Sequence, residues 1–167
     1  TLGLLGPNGC GKTTSIGMML GLIKPTKGNI YIDNKDINLV DKNEILSMIN
    51  FASPYIELPK KLTVKQNLEV YGRLYDVKNL KSKIELISEK LRLNEIINKI
   101  TGELSSGQKN RVSLAKSIIN DPKILLLDEP TASLDPETGD FVRGFLENYQ
   151  KENKASILLA SHNMSEV

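Results

Sequence analysis

Several features that mark particular protein classes are scarce or missing in this 167-residue sequence. It has one cysteine, Cys10, and so cannot form an internal disulfide, which suits a reducing compartment such as the cytoplasm. No uninterrupted apolar run approaches the roughly 20 residues that a membrane-spanning helix needs, so we expect any membrane contact to go through a partner. The 22 basic and 20 acidic side chains nearly cancel, which gives no reason to expect nucleic acid or an anionic membrane surface as a partner.

Both ends of the sequence are abrupt. Residues 1–5 begin inside an apolar strand pattern with no signal-peptide pattern before them, and Val167 follows a predicted strand without a helix stop. We therefore expect the sequence to be part of a longer protein, truncated in an N-terminal β portion and at the C-terminal end.

The remaining composition indicates one globular domain, because an apolar content of 40% is enough to bury a core. Short apolar runs bounded by turn residues alternate with helical patterns, which is typical of an α/β fold with a parallel sheet. The predicted strands are 2–5, 29–32, 48–52, 123–127 and 156–160. Residues 63–98 have helical Leu, Ile and Val spacing and predict an inserted helical segment.

The strongest motif is Gly-Pro-Asn-Gly-Cys-Gly-Lys-Thr-Thr at residues 6–14, between a predicted strand and a helical pattern at 15–22. This is a P-loop, whose glycines let the backbone turn tightly and direct N–H groups at phosphate oxygens beside a helix N-terminus. Lys12 supplies a mobile positive charge for the β- and γ-phosphates, and the Thr13 hydroxyl is a hard oxygen suited to Mg²⁺. The predicted nucleotide-binding residues here are Asn8, Gly9, Cys10, Gly11, Lys12, Thr13 and Thr14.

A second motif, Ile-Leu-Leu-Leu-Asp-Glu at 124–129, delivers two carboxylates at the end of an apolar strand. Open α/β sheets bind ligands at this edge. Two acids after a strand are by themselves more often a helix cap or surface pair, but together with the P-loop they indicate a Walker B motif. Asp128 is then expected to hold Mg²⁺, directly or through water, and Glu129 to polarise the attacking water.

Two other classes of P-loop protein fit the sequence less well. Guanine-specific GTPases need an Asn-Lys-x-Asp base reader, and the nearest string, at 34–37, has its aspartate one position early. No Asp-x-x-Gly follows the P-loop either. A nucleotide kinase remains a rival, although it does not explain the next motif; phosphate release without an acceptor distinguishes the two.

That motif is Leu-Ser-Ser-Gly-Gln at 104–108, which precedes a helical pattern at 110–119. It resembles the Leu-Ser-Gly-Gly-Gln signature of the ATP-binding cassette family at four of five positions and departs at Ser106. Ser105 can cap the helix, and Gly107 allows close backbone approach. The order of the other motifs supports the resemblance, since 133–135 resembles the D-loop and His162 the switch histidine.

The resemblance covers nearly the whole chain and implies a single ABC nucleotide-binding domain over 1–167. It implies a RecA-like P-loop NTPase core at 1–53 and 120–167, with a helical subdomain, including the signature helix, at 54–119. It also implies that the P-loop of one copy and the signature of a second copy hold ATP and Mg²⁺ between them. The residues that the resemblance adds to the nucleotide site are Ser105, Ser106, Gly107, Gln108 and Asp135. The residues that it implies as catalytic are Lys12, Glu129 and His162. The metal ligands that it implies are Thr13 and Asp128.

The string at 161–167 looks like the switch region of drug- and polysaccharide-type exporters. The leading hypothesis is therefore the ATPase motor of an exporter-like transporter, whose substrate and direction of transport the sequence leaves open. We expect it on the cytoplasmic face of a membrane, attached to a transmembrane permease and paired with a second nucleotide-binding domain, with no nucleic-acid partner. The open alternative is a soluble ABC-type ATPase that acts on ribosomes or other macromolecules. A second P-loop in the full-length sequence would favour that alternative.

One element of the family pattern is missing. The family places a glutamine that touches Mg²⁺ after the strand at 48–52, where this sequence has Ser53 and Pro54. Its three glutamines, at 66, 108 and 150, lie elsewhere. The resemblance therefore implies at most a weak metal contact from this loop, through Ser53.

Overall fold

A parallel β-sheet with helices on both faces forms the centre of the molecule. The computed structural model describes residues 1–54, 57–132 and 134–162. The strands are β1 (Leu2–Leu5), β2 (Tyr31–Ile32), β3 (Lys35–Asp36), β4 (Ile49–Ala52), β5 (Ile124–Asp128) and β6 (Ser156–Ser161). The helices are α1 (Lys12–Met19), α2 (Lys42–Met48), α3 (Val64–Leu74), α4 (Leu80–Lys90), α5 (Ser106–Ser117) and α6 (Pro136–Asn153), with a 3₁₀ turn at Thr101–Glu103.

The main sheet has the strand order β1-β6-β5-β4, and all three pairings are parallel. Its register aligns Leu5 with Ser161, Asp128 with Ala160, and Leu127 with Ala52. The carboxyl ends of the four strands therefore share one edge. The P-loop, the Walker B acids, the Ser53 loop and His162 each follow one of these ends.

The two faces of the sheet are covered by different apolar clusters. Alternation along β5 sends Leu126 to one face, where Ile16 of α1 and Ile45 of α2 pack. Leu125 and Leu127 point to the other face, which is covered by α5, α6 and the helices of the inserted segment. Burial of the strands on both faces explains their nearly continuous apolar sequences.

The inserted segment is tied to the 3₁₀ turn by a buried amide. Asn67 of α3 is fully buried, and its Nδ2 donates to the hydroxyl of Thr101 at 2.8 Å and to the Thr63 carbonyl at 3.1 Å. The Thr101 amide donates to the Leu62 carbonyl at 2.9 Å. The residues before α3 are thus fixed to those that lead into α5.

The predicted α/β fold with a helical insertion is confirmed, but three local predictions were wrong. The strand expected at 29–32 is only Tyr31–Ile32 and pairs antiparallel with β3 in a separate two-stranded sheet. Its turn residues, Asp33 and Asn34, both have positive φ, as a tight hairpin requires.

Helices α1 and α5 each begin earlier than the apolar spacing predicted, at Lys12 instead of residue 15 and at Ser106 instead of residue 110. The sequence analysis also missed α2, although Asp41 caps it by accepting the Asn43 amide at 3.0 Å. Across the described ranges, no helix has the length and apolar character needed to cross a membrane.

Candidate active site

The P-loop connects β1 to α1 through two glycines in left-handed conformations. Gly9 has φ +81° and Gly11 has φ +99°, a region that a side chain strains. Gly11 occupies the N-cap of α1 without a capping side chain, so the first amide groups of the helix remain available to an anion. Asn8, Cys10 and Thr14 are exposed around this turn.

Lys12 is held at the centre of the loop. Its side chain is 7% exposed, and Nζ donates to the carbonyl of Gly6 at 2.6 Å and to that of Pro7 at 3.2 Å. Nζ also lies 3.8 Å from Oε1 of Glu129. The positive charge therefore lies between the P-loop and the Walker B end of β5.

Thr13 and Asp128 bring two hard oxygen atoms together. The Thr13 hydroxyl donates to Oδ2 of Asp128 at 2.7 Å, and Asp128 is 1% exposed. Among the described residues, no lysine, arginine or histidine forms an ion pair with Asp128. A buried carboxylate with only a neutral hydroxyl partner suits a divalent cation, and this pair of donors fits Mg²⁺.

Glu129 meets residues from the end of β6. Its Oε1 lies 2.8 Å from Nδ1 of His162, and the Ser161 hydroxyl is 3.4 Å from its Oε2. The Glu129 amide donates to the Ala160 carbonyl at 2.8 Å. Glu129 has φ +52°, a costly conformation for a residue with a side chain, and is 5% exposed. The backbone strain and the surrounding contacts together fix where this carboxylate points.

The signature residues form the N-terminus of α5. The Ser105 hydroxyl accepts the Gln108 amide at 3.3 Å, and the Gln108 side chain accepts the Ser105 amide at 3.1 Å, which is a capping box. Ser106 is exposed, and a Cβ added to Gly107 would meet the Thr138 side chain at 3.5 Å. The signature therefore presents a capped helix end beside the start of α6.

Asp135 caps α6, as the sequence suggested. Its Oδ1 accepts the Thr138 amide at 2.9 Å and its Oδ2 accepts the Thr138 hydroxyl at 2.7 Å. These two bonds, the amide first, hold the pKa of Asp135 below its usual range. Ser133 of the predicted D-loop and residues 163–167 of the predicted switch region lie outside the described residues.

The predicted site residues thus form two groups. Direct contacts join Lys12, Thr13, Asp128, Glu129 and His162 at the carboxyl ends of β1, β5 and β6. The signature residues and Asp135 lie instead at the N-termini of α5 and α6. Ser53 is buried at the end of β4 and borders a cavity of about 270 Å³ that Ser106 and Asn110 also line.

Sequence reasoning missed two contacts of this site. Ser161 reaches Glu129 because residues 129 and 161 each follow the pair Asp128 and Ala160 in the register of β5 against β6, and no sequence signal gives that register. Asn110 Nδ2 donates to the Pro130 carbonyl at 2.6 Å and so links the signature helix to the segment that follows the Walker B strand. No local sequence signal identifies that bond.

Comparison with known proteins gives consistent results. The family model described as "ABC transporter" matches residues 1–132. The chain is 35% identical to the ABC transporter ATP-binding protein NatA of Bacillus subtilis, covering 99% of this chain and 68% of that protein. It is 36% identical to the bacitracin transport ATP-binding protein BcrA of Bacillus licheniformis, covering 99% of this chain and 53% of that protein.

Solved structures agree with this similarity. The chain matches cbiO1 of Clostridium perfringens, part of the ABC transporter complex cbiONQ, at TM-score 0.84 and 30% identity over 99% of this chain and 68% of that one. It matches the ATP-binding cassette MJ0796, in a dimeric post-hydrolysis state with ADP and Pi, at TM-score 0.84 and 26% identity over 99% of this chain and 75% of that one. The chain belongs to the ABC transporter family, as one of its ATP-binding, ATP-hydrolysing domains.

Proposed function

We propose that this domain uses ATP hydrolysis to power the movement of a substrate across a membrane, as the nucleotide-binding subunit of an ABC transporter. The observation that carries the proposal is the convergence of Lys12, Glu129 and His162 at one sheet edge, beside the Thr13 and Asp128 oxygens. A phosphate-binding loop with its lysine, an acid that holds the metal ion and a residue that orients the attacking water are the groups that P-loop NTPases use.

In the proposed reaction, water attacks the γ-phosphorus and the bond to the bridging oxygen breaks, releasing ADP and phosphate. Glu129 polarises the water and accepts its proton, while His162 contacts the γ-phosphate and is oriented by its bond to Glu129. Lys12 and the α1 amides stabilise the charge on the phosphates. Thr13 and Asp128 would hold Mg²⁺, which would supply positive charge to offset that of the phosphates.

A complete site is proposed to need two copies of the domain. Ser105, Ser106, Gly107 and Gln108 cap a helix whose N-terminus is suited to an anion, but they lie on an element separate from the P-loop. The dimeric state of the MJ0796 cassette supports a pairing in which the signature and Asp135 of one copy face the P-loop of the other. Residues 1–53 and 120–167 would act as the nucleotide-binding core and 54–119 as the helical subdomain.

The membrane partner is proposed to be a transmembrane permease on whose cytoplasmic side the domain docks. The transport names of NatA and BcrA and the membership of cbiO1 in a transporter complex support this role. The relatives include both import and export proteins, so the resemblance to exporters rests on the sequence pattern at 161–167 alone.

Affinity purification of the full-length protein from solubilised membranes tests the transport role. The expected result is co-purification of a multi-span membrane protein, with ATPase activity that Lys12→Ala removes without disrupting the complex. Sedimentation with ribosomes, and no membrane partner, would instead support the soluble ATPase. Uptake of candidate substrates by inside-out vesicles then gives the direction of transport.

A further inference from the structure

Lys116 is a partly buried lysine at the far end of the signature helix. It lies in the last turn of α5, about 16 Å along the helix from the signature residues at its N-terminus. Nζ donates to the Phe51 carbonyl at 3.2 Å and to Oδ1 of Asn50 at 3.3 Å. Both acceptors belong to β4, the strand that ends immediately before Ser53.

The same ammonium group also contacts the inserted helical segment, where Nζ lies 5.2 Å from the centre of the Tyr71 ring of α3. This distance is within the range of a cation–π interaction. One positive charge therefore touches three elements: the signature helix, the central sheet and the first inserted helix.

The acceptor on β4 is itself fixed. Asn50 is 3% exposed, and its Oδ1 also accepts the Phe51 amide at 2.8 Å. Its Nδ2 donates to Asn120 at 2.9 Å, and Asn120 donates to the Ser47 carbonyl at 3.2 Å. Because this network holds Asn50 in place, Lys116 bonds to a rigid part of the sheet.

Lys116 has no acidic partner among the described residues, and Tyr71 is the one titratable group that faces it from β4 or α3. Burial lowers the pKa of Lys116 from its ordinary value. A desolvated cation without a counter-ion adds little stability and often reduces it. Fold stability alone therefore does not explain a lysine at this position.

We propose that Lys116 is a positioning residue for ATP hydrolysis, which fixes the orientation of the signature helix relative to the Ser53 end of β4. The inference rests on the proposed role of the signature at the partner's nucleotide. Because α5 is a rigid rod, a change at its C-terminal anchor moves Ser105 to Gln108 at the other end. Lys116 lies at the end of α5 opposite the signature, and its proposed action is through this helix.

The test compares Lys116→Met, Lys116→Arg and wild type as full-length protein, with Lys151→Met as the matched control. Lys151 is an exposed lysine in the last turn of α6. We expect Lys116→Met to lower kcat by roughly 3- to 30-fold, the range of such couplings. ATP affinity should not fall, since the P-loop is unchanged. Tm should change little, because the loss of two hydrogen bonds and the ring contact offsets the removal of a desolvated charge. Lys116→Arg should recover most of kcat.

The pH dependence adds a readout that a purely structural role would not change. The pKa of Lys116 is lower in the folded than in the unfolded protein. The contribution of Lys116 to the free energy of unfolding therefore becomes more favourable to the folded state as the pH rises and the lysine loses its proton. The positioning contact weakens over the same range. Lys116→Arg stays charged at alkaline pH. We therefore expect the ratio of the wild-type kcat to the Lys116→Arg kcat to fall as the pH rises, while the stability of the wild-type protein does not fall.

The inference would be overturned if Lys116→Met had the wild-type kcat. It would also be overturned if the kcat ratio between wild type and Lys116→Arg did not change with pH. Gly107→Asp in the same assay tests the proposed role of the signature separately from the proposed role of Lys116. If Gly107→Asp abolishes hydrolysis while Lys116→Met keeps the wild-type kcat, the proposed role of Lys116 is wrong and that of the signature stands. If Gly107→Asp hydrolyses ATP normally, the signature role and the inference fail together.

Discussion

Replacing Asp128 with asparagine should stabilise the nucleotide-free protein while removing its response to Mg²⁺. Asp128 is 1% exposed, and its described partner is the neutral Thr13 hydroxyl. Asparagine has the same shape and retains an oxygen for that hydroxyl. Because a buried carboxylate without an ion-pair partner costs more free energy to desolvate than a neutral amide of the same shape, we expect the free energy of unfolding to rise by about 1–2 kcal/mol. For a domain of this size that equals about 2–8 °C in Tm.

The assay is thermal unfolding without nucleotide, with ATP and EDTA, and with ATP and Mg²⁺. Wild type should gain about 2.7 kcal/mol at a MgATP concentration 100-fold above Kd, and Asp128→Asn should lose the Mg²⁺-dependent part of that gain. The control is Asp140→Asn, an exposed carboxylate on α6, which should change stability by less than about 0.5 kcal/mol. A variant less stable than wild type without nucleotide, or one that keeps the Mg²⁺ response, would refute the reasoning.

Three further predictions concern the other parts of the site. Gly107→Asp should leave nucleotide binding nearly unchanged but stop hydrolysis, because a carboxylate would face the partner's γ-phosphate. Mixing this variant with Lys12→Ala should partly restore hydrolysis, since each heterodimer would contain about one intact site. If mixing restores no hydrolysis, the two-copy site is contradicted. Ser53→Gln should lower the Mg²⁺ concentration that half-saturates hydrolysis, and an unchanged requirement would show that Ser53 does not mark a lost metal contact. Maleimide should label exposed Cys10 and inactivate the protein, with MgATP slowing the labelling and Cys10→Ala remaining active; equal labelling with and without MgATP would contradict this.

The parts of the fold that were predictable from sequence depend on local requirements. The P-loop needs glycine where φ is positive, and Gly9 and Gly11 meet that need. The β5 strand is apolar because both of its faces are buried. Asp135 before a proline indicated the start of α6, since both residues suit a helix N-terminus. Each of these features needs only a few neighbouring residues to be recognised.

The parts that were not predictable depend on contacts between distant segments. Glu129 meets Ser161 because β5 and β6 pair in one register, which the sequence does not specify. The anchoring of Lys12 to the Gly6 carbonyl depends on how the loop folds back over its own lysine. The contacts of Lys116 join three elements, and a lysine in the last turn of a helix has no pattern that separates it from a surface cation.

The most direct test of the account is single-turnover and steady-state ATP hydrolysis by Glu129→Gln in the full-length protein, with Glu147→Gln, an exposed glutamate of α6, as the control. Glu129→Gln should bind ATP with wild-type affinity, because the P-loop and Lys12 contacts to Gly6 and Pro7 do not depend on that carboxylate. Its hydrolysis should fall by ~10²- to 10⁴-fold, the usual cost of losing a general base. Hydrolysis above about a tenth of the wild-type rate would contradict the assignment of Glu129 as the residue that polarises the attacking water.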